Sequence, residues 1–166
     1  VVAAGNDCGL EVADQVPATI PSVIAVGGIT AKAGTSAVRN LAPVAADSAC
    51  YFTSDGALDG NGIGVTVSAP GEEQENIIKG SRLESVGILS TRLGGGTIRM
   101  SGTSMASPHT AGVVALLCQK FPGLTPAEAI SIATRNSAEI LGLKQFGTVA
   151  TGKSADFIVL DANPLA

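Results

Sequence analysis

The chain has 166 residues, enough for a single domain or a large part of one, and its 45% hydrophobic and 14% charged content exclude a disordered polypeptide. A formal net charge of −4, with no basic stripe to neutralise phosphates, excludes nucleic acid as a partner. The apolar runs are too short for a membrane span.

Aromatic residues make up 3% of the chain, Trp is absent and Gly occurs 21 times, the profile of a tightly wound α/β chain with small side chains at its turns. No signal peptide is visible, and the opening VVAAG reads as the middle of a strand. The start is therefore expected to follow processing or to lie inside a longer chain. Residues 1–5 form a short apolar run closed by Gly, Asn and Asp, a buried strand entering a turn. SVIAVGGIT, residues 22–30, is continuously apolar and suits a parallel sheet covered on both faces. GVTVSAPG, residues 64–71, alternates as a strand that stops at Pro-Gly, and SVGILSTRL, residues 85–93, is a further strand before the GGG of 94–96.

From Thr103 to about Lys120 the pattern turns helical, with Ala111, Val114, Ala115 and Cys118 at helical spacing. A second helix is predicted from Pro126 to about Asn136. Thr125 is its N-cap, Pro126 its first residue, and Glu128 completes a capping box. Residues 146–166 read as two short strands joined by a TGKSAD turn. Together the elements predict a three-layer α/β fold with a mostly parallel sheet, followed by a short helix-plus-β C-terminal extension.

The three cysteines have no metal-ligand spacing. Cys118 shares a helix face with Val114 and Leu117 and is expected to be a buried free thiol. Cys8 and Cys50 fall in loop-like sequence and can pair if the compartment is oxidising.

The chemistry concentrates in RMSGTSMASPHTAG, residues 99–112. A nucleophilic serine needs an exposed Oγ, a base within reach and donors for the oxyanion. Gly102 permits a close backbone approach, and Ser104 opens a helix whose N-terminus favours developing negative charge. The chain's one histidine, His109, fails as the base. Five residues along a helix is about 140° around the axis and about 7.5 Å along it, so the ring is expected to point into packing inside the fold. The chain holds a candidate nucleophile without its base.

SGTSMASPHTAG resembles the catalytic-serine motif of the subtilisin-like serine proteases, the subtilases. VVAAGND resembles that family's oxyanion-asparagine segment, and YFTSDG…VTVSAPG and GILST also fit. The likeness covers residues 1 to about 125. It implies that Ser104 is the nucleophile, with its N–H as one oxyanion donor and the Asn6 side chain as the other. Thr103 would support the hole, and Ala3, Ala4 and Gly5 would line one side of a pocket for the residue before the scissile bond. Read alone, Asn6 is more readily a turn residue after a strand. In the family the chain order is Asp, His, Ser, so the triad's Asp and His are expected outside these residues. Asp7, Asp47, Asp55 and Asp59 read as loop and turn residues.

Residues 124–166, LTPAEAISIATRNSAEILGLKQFGTVATGKSADFIVLDANPLA, resemble instead the C-terminal segment of metal-dependent amidohydrolases. The predicted organisation is a partial subtilase catalytic domain over 1–125 and an amidohydrolase-like tail over 126–166, with the junction between about 121 and 128. One histidine cannot furnish a binuclear metal site, and Lys153 and Asp156 read as turn residues. No cofactor is expected. Structural calcium is common in subtilases, but no acidic cluster has the ligand spacing.

The resemblance implies a secreted serine endopeptidase acting on polypeptides, completed by the missing N-terminal half of the catalytic domain. Two other readings stay open: an esterase using the same serine, and a non-catalytic fragment or partner of a split enzyme.

Overall fold

Two long parallel strands form the centre of the computed structural model, which describes residues 1–36, 42–78, 82–83, 86–132 and 134. Strand β2, Ala25–Ser36, lies between β1, Val2–Ala3, and β4, Val67–Ile78, and is parallel to both. The register sets Val2 opposite Ala25 and Val26 opposite Val67. Two short antiparallel strands extend this sheet: β3, Ala42–Val44, on β2, and β5, Arg82–Leu83, on β4. Ala25, Val26 and Ile29 of β2 are buried, as expected of a parallel strand covered on both faces. One side of the core is completed by Ala4, Val12 and Ala18.

The run 64–71 was expected to stop at Pro70-Gly71. Instead, β4 continues through it to Ile78. Ile29 pairs with Pro70 and Thr30 with Glu72, so Gly71 is the extra residue of a bulge. A bulge accommodates a residue without an N–H, which a regular ladder does not. A Cβ on Gly71 would lie 3.1 Å from both the Gly102 carbonyl oxygen and the Gly28 Cα. Gly102 N–H donates to the Gly71 carbonyl at 2.9 Å, fixing the turn before the serine helix onto the sheet.

Strand β6, Ile88–Thr91, falls in the predicted run, and its partner β7, Thr97–Met100, was not anticipated. They form an antiparallel hairpin that sets Ile88 opposite Met100 and Thr91 opposite Thr97. Gly94, Gly95 and Gly96 all have positive φ in its loop, a conformation that glycine adopts without Cβ strain. Leu89, Leu93, Ile98 and Met100 are exposed along it. Glu73 of β4 joins the elements by ion pairs with Lys32 of β2 and with Arg99 of β7, the latter at 2.7 Å.

Helix α1, Thr103–Lys120, has the predicted bounds. Its buried positions are Thr103, Ala106, Thr110 and Val114, whereas Ala111 and Ala115 are exposed and Cys118 is half-buried. Only Val114 of the expected stripe is therefore buried. Small residues on every side of this helix leave little contrast from which to read its inner face.

The chain divides into two compact units, Val1–Ala111 and Gly112–Ala166. In the second, α2 spans Pro126–Ser131 and starts as predicted: Glu128 N–H donates to Thr125 Oγ1 at 3.3 Å, and Thr125 N–H to Glu128 Oε2 at 2.7 Å. The predicted strands of 146–166, with Lys153 and Asp156, lie outside the described residues.

Gly71→Ala is expected to destabilise the protein by about 1–3 kcal/mol, because both neighbours of the new methyl are backbone, and urea unfolding would measure it. Hydrogen bonding from Lys32, with the nearby Arg99 charge, holds the Glu73 carboxyl below its ordinary value of 4.5. A depressed carboxylate stabilises the fold above its unfolded-state value and loses that contribution as pH falls through its folded one. The stability difference between wild type and Glu73→Gln is therefore expected to be constant at neutral pH and to shrink below about pH 4.5.

Candidate active site

Strand β1 delivers the chain to Gly5, whose φ of +123° turns the next residue outward. Asn6 is exposed at this turn. Its Oδ1 accepts the Thr103 main-chain N–H at 2.8 Å and the Thr103 hydroxyl at 2.9 Å. The same hydroxyl accepts the Gly5 N–H at 3.3 Å. Two donors on one side of the amide settle which of its ends is the oxygen, since only the oxygen can accept them. Nδ2 is thereby directed away from Thr103, and among the described residues it has no hydrogen-bond partner.

Thr103 is buried at the first turn of α1 and Ser104 next to it is exposed. Gly102, with φ of +151°, makes the turn between β7 and the helix. The place a Gly102 Cβ would occupy lies 3.3 Å from Asn6 Nδ2 and 3.7 Å from the Ser104 nitrogen. Two N–H donors from distant parts of the chain, neither hydrogen-bonded among the described residues, therefore border one point that glycine leaves open, with Asn6 Oδ1 3.6 Å from it. The helix N-terminus adds its partial positive charge there.

The loop containing Thr53 and Ser54 supports the Asn6 turn from below. Ser54 N–H donates to the Gly5 carbonyl at 2.9 Å. Ser54 Oγ donates to the Asp7 carbonyl at 2.9 Å and accepts the Asp7 N–H at 3.3 Å. Sequence reasoning passed over Ser54, whose only signal was its place in the YFTSDG loop.

The structure thus brings Asn6, Thr103 and Ser104 together. Of the expected pocket wall, Ala3 and Gly5 are half-buried, whereas Ala4 is fully buried against Val12, Ala18 and Ala25. Ala4 can offer such a pocket only its backbone. His109 is exposed rather than packed inside the fold, and its Nδ1–H donates to the Met105 carbonyl of its own helix at 2.9 Å. A carbonyl accepts only, which places the proton on Nδ1. No hydrogen bond joins His109 to Ser104 Oγ, which has no partner among the described residues.

No disulfide joins Cys8, which is exposed, to Cys50, which is buried, so the pair considered from sequence is not formed. Cys118 is half-buried and its thiol contacts the Leu124 carbonyl at 3.7 Å. Asp7, Asp47 and Asp59 occupy loops and turns as expected, whereas Asp55 forms a parallel β-bridge with Glu11. Asp47 has φ of +62°, and Asp59 accepts the Ile63 and Asn61 N–H groups, the first of which does most to hold its carboxyl below the usual range.

The subtilase family model matches residues 1–157, running past residue 125, where the motif likeness was expected to end. An extracellular protease of Xanthomonas campestris is 34% identical over 98% of this chain and 22% of its own length. The subtilisin-like serine protease AsES of Sarocladium strictum is 33% identical over 86% of the chain and 28% of its own. The chain therefore spans about a quarter of the length of these relatives. Among solved structures, a cold-adapted subtilisin-like serine proteinase matches with TM-score 0.52 and 31% identity, covering 76% of this chain and 34% of that one. A protease from Pseudoalteromonas arctica matches with TM-score 0.56 and 31% identity, covering 80% and 34%. With the serine segment, the asparagine turn and the central parallel strands all accounted for by one family, the chain is a member of the subtilases, carrying part of the subtilisin-like α/β fold.

Proposed function

We propose that this chain carries the nucleophile and oxyanion side of a secreted serine endopeptidase acting on polypeptides. Ser104 Oγ attacks a peptide carbonyl carbon, and the carbonyl oxygen takes the negative charge between Asn6 Nδ2 and the Ser104 N–H. Collapse of this intermediate breaks the peptide bond and leaves the acyl group on Ser104, from which water releases it. The observation that carries this reading is the pair of unengaged donors beside the space above Gly102, held there by Thr103. The extracellular relative from Xanthomonas supports secretion.

His109 makes no hydrogen bond to Ser104 Oγ among the described residues, so the base that takes the Ser104 proton is a histidine outside these residues, with its Asp. Until that base is supplied, the site suits activated esters better than peptides, because their leaving groups need no proton.

A fluorophosphonate probe is expected to label Ser104 and to leave Ser104→Ala unlabelled, as read by peptide mapping. No label on a folded wild type would mean a scaffold without catalytic activity. Once the segment bearing the histidine is supplied, turnover of nitrophenyl esters without cleavage of casein would point to an esterase. Thr103→Val removes one donor to Asn6 Oδ1 and frees the amide to shift, so labelling of Ser104 is expected to slow about tenfold while the site of labelling stays the same.

A further inference from the structure

We infer that Ser54 is a positioning residue for the oxyanion donor Asn6, an inference that rests on the role proposed above for Asn6. Ser54 is fully buried in the long connection between the two long parallel strands. Three of its hydrogen bonds reach the residues on both sides of Asn6. The main-chain N–H holds the Gly5 carbonyl, and the hydroxyl holds both the carbonyl and the N–H of Asp7. Ser54 makes no hydrogen bond to Asn6 itself.

This grip supplies what Thr103 leaves open. Thr103 fixes one atom of the Asn6 side chain, Oδ1, and an amide held at one atom still pivots about it. The direction of Nδ2 then depends on where the Asn6 Cα sits. That is set by Gly5 and Asp7, and so by Ser54. The fit is close: a Cβ on Gly5 would stand 2.7 Å from Ser54 Oγ. Because the hydroxyl is buried, water has no access from its side to replace it. An oxyanion donor displaced by about 1 Å costs up to 10²-fold in rate, so loss of one such anchor is expected to cost about tenfold.

The test is a double-mutant cycle on nitrophenyl ester turnover by the full-length protein, with hydrogen exchange at Gly5–Asp7 as a readout independent of activity. Asn6→Ala is expected to lower kcat by about 10²–10³. Ser54→Ala is expected to lower kcat about tenfold with KM unchanged, and to cost less than about twofold when Asn6→Ala is already present. Exchange at the Asp7 amide should rise in folded Ser54→Ala while the amides of β2 and β4 keep their protection.

A serine that merely stabilises the fold would slow both backgrounds equally, and that result overturns the proposal. So does unchanged kcat, or unchanged Asp7 exchange, in folded Ser54→Ala. If Asn6→Ala itself leaves kcat intact, the oxyanion reading fails and the Ser54 inference with it, a result distinct from failure of Ser54 alone. Should Ser54→Ala not fold, Ser54→Cys keeps the size and a weak donor; the same dependence on Asn6 with a smaller loss supports the inference, and its absence overturns it.

Discussion

The Thr103–Asn6 contact, on which the site depends, joins the end of the first strand to the start of the long helix. A helix leaves its first N–H groups without internal partners, and here one of them is satisfied by a side chain from a turn 97 residues away. The bond has two effects at once. It caps the helix from outside, and it settles which end of the Asn6 amide faces the serine. Without it, Nδ2 and the Ser104 N–H would be two unrelated surface donors.

That contact is possible because the backbone approaches so closely beneath it. Gly28, Gly71 and Gly102 meet where a methyl group would touch main chain on two sides. The bulge at Gly71 carries β4 past Pro70 and offers its carbonyl to Gly102, so the turn entering the helix is tied to the sheet rather than suspended above it. Fixed placement of this kind is what a reaction relying on preorganised donors requires.

How much of this was legible from residues alone follows from how local each feature is. The capping box at Thr125 and Glu128 and the bounds of α1 were readable because their determinants lie within a few residues of each other. Strands β3, β5 and β7, of two to four residues each, owe their existence to partners elsewhere, and nothing in their own sequence announces them. Pro70-Gly71 reads as a stop because a bulge is defined only by the strand opposite. Ser104 and Asn6 could be picked out by their family motifs. Ser54 could not, since a hydroxyl in a turn looks the same whether it holds a loop or faces water. The spacing of His109 from Ser104 along the helix is readable locally, whereas its exposure depends on packing that the spacing does not carry.

The wiring of the site also bears on how the chain reaches its native state. Residue 5 must find 103, residue 6 must find 103 and residue 7 must find 54 before the donors are aligned. Closing such long loops is entropically costly and late, and folds dominated by non-local pairing form slowly. In a half-folded chain the Asn6 turn and the start of the helix are therefore not yet joined. That order of assembly makes the alignment of the Asn6 amide beside the Ser104 N–H one of the last events of folding.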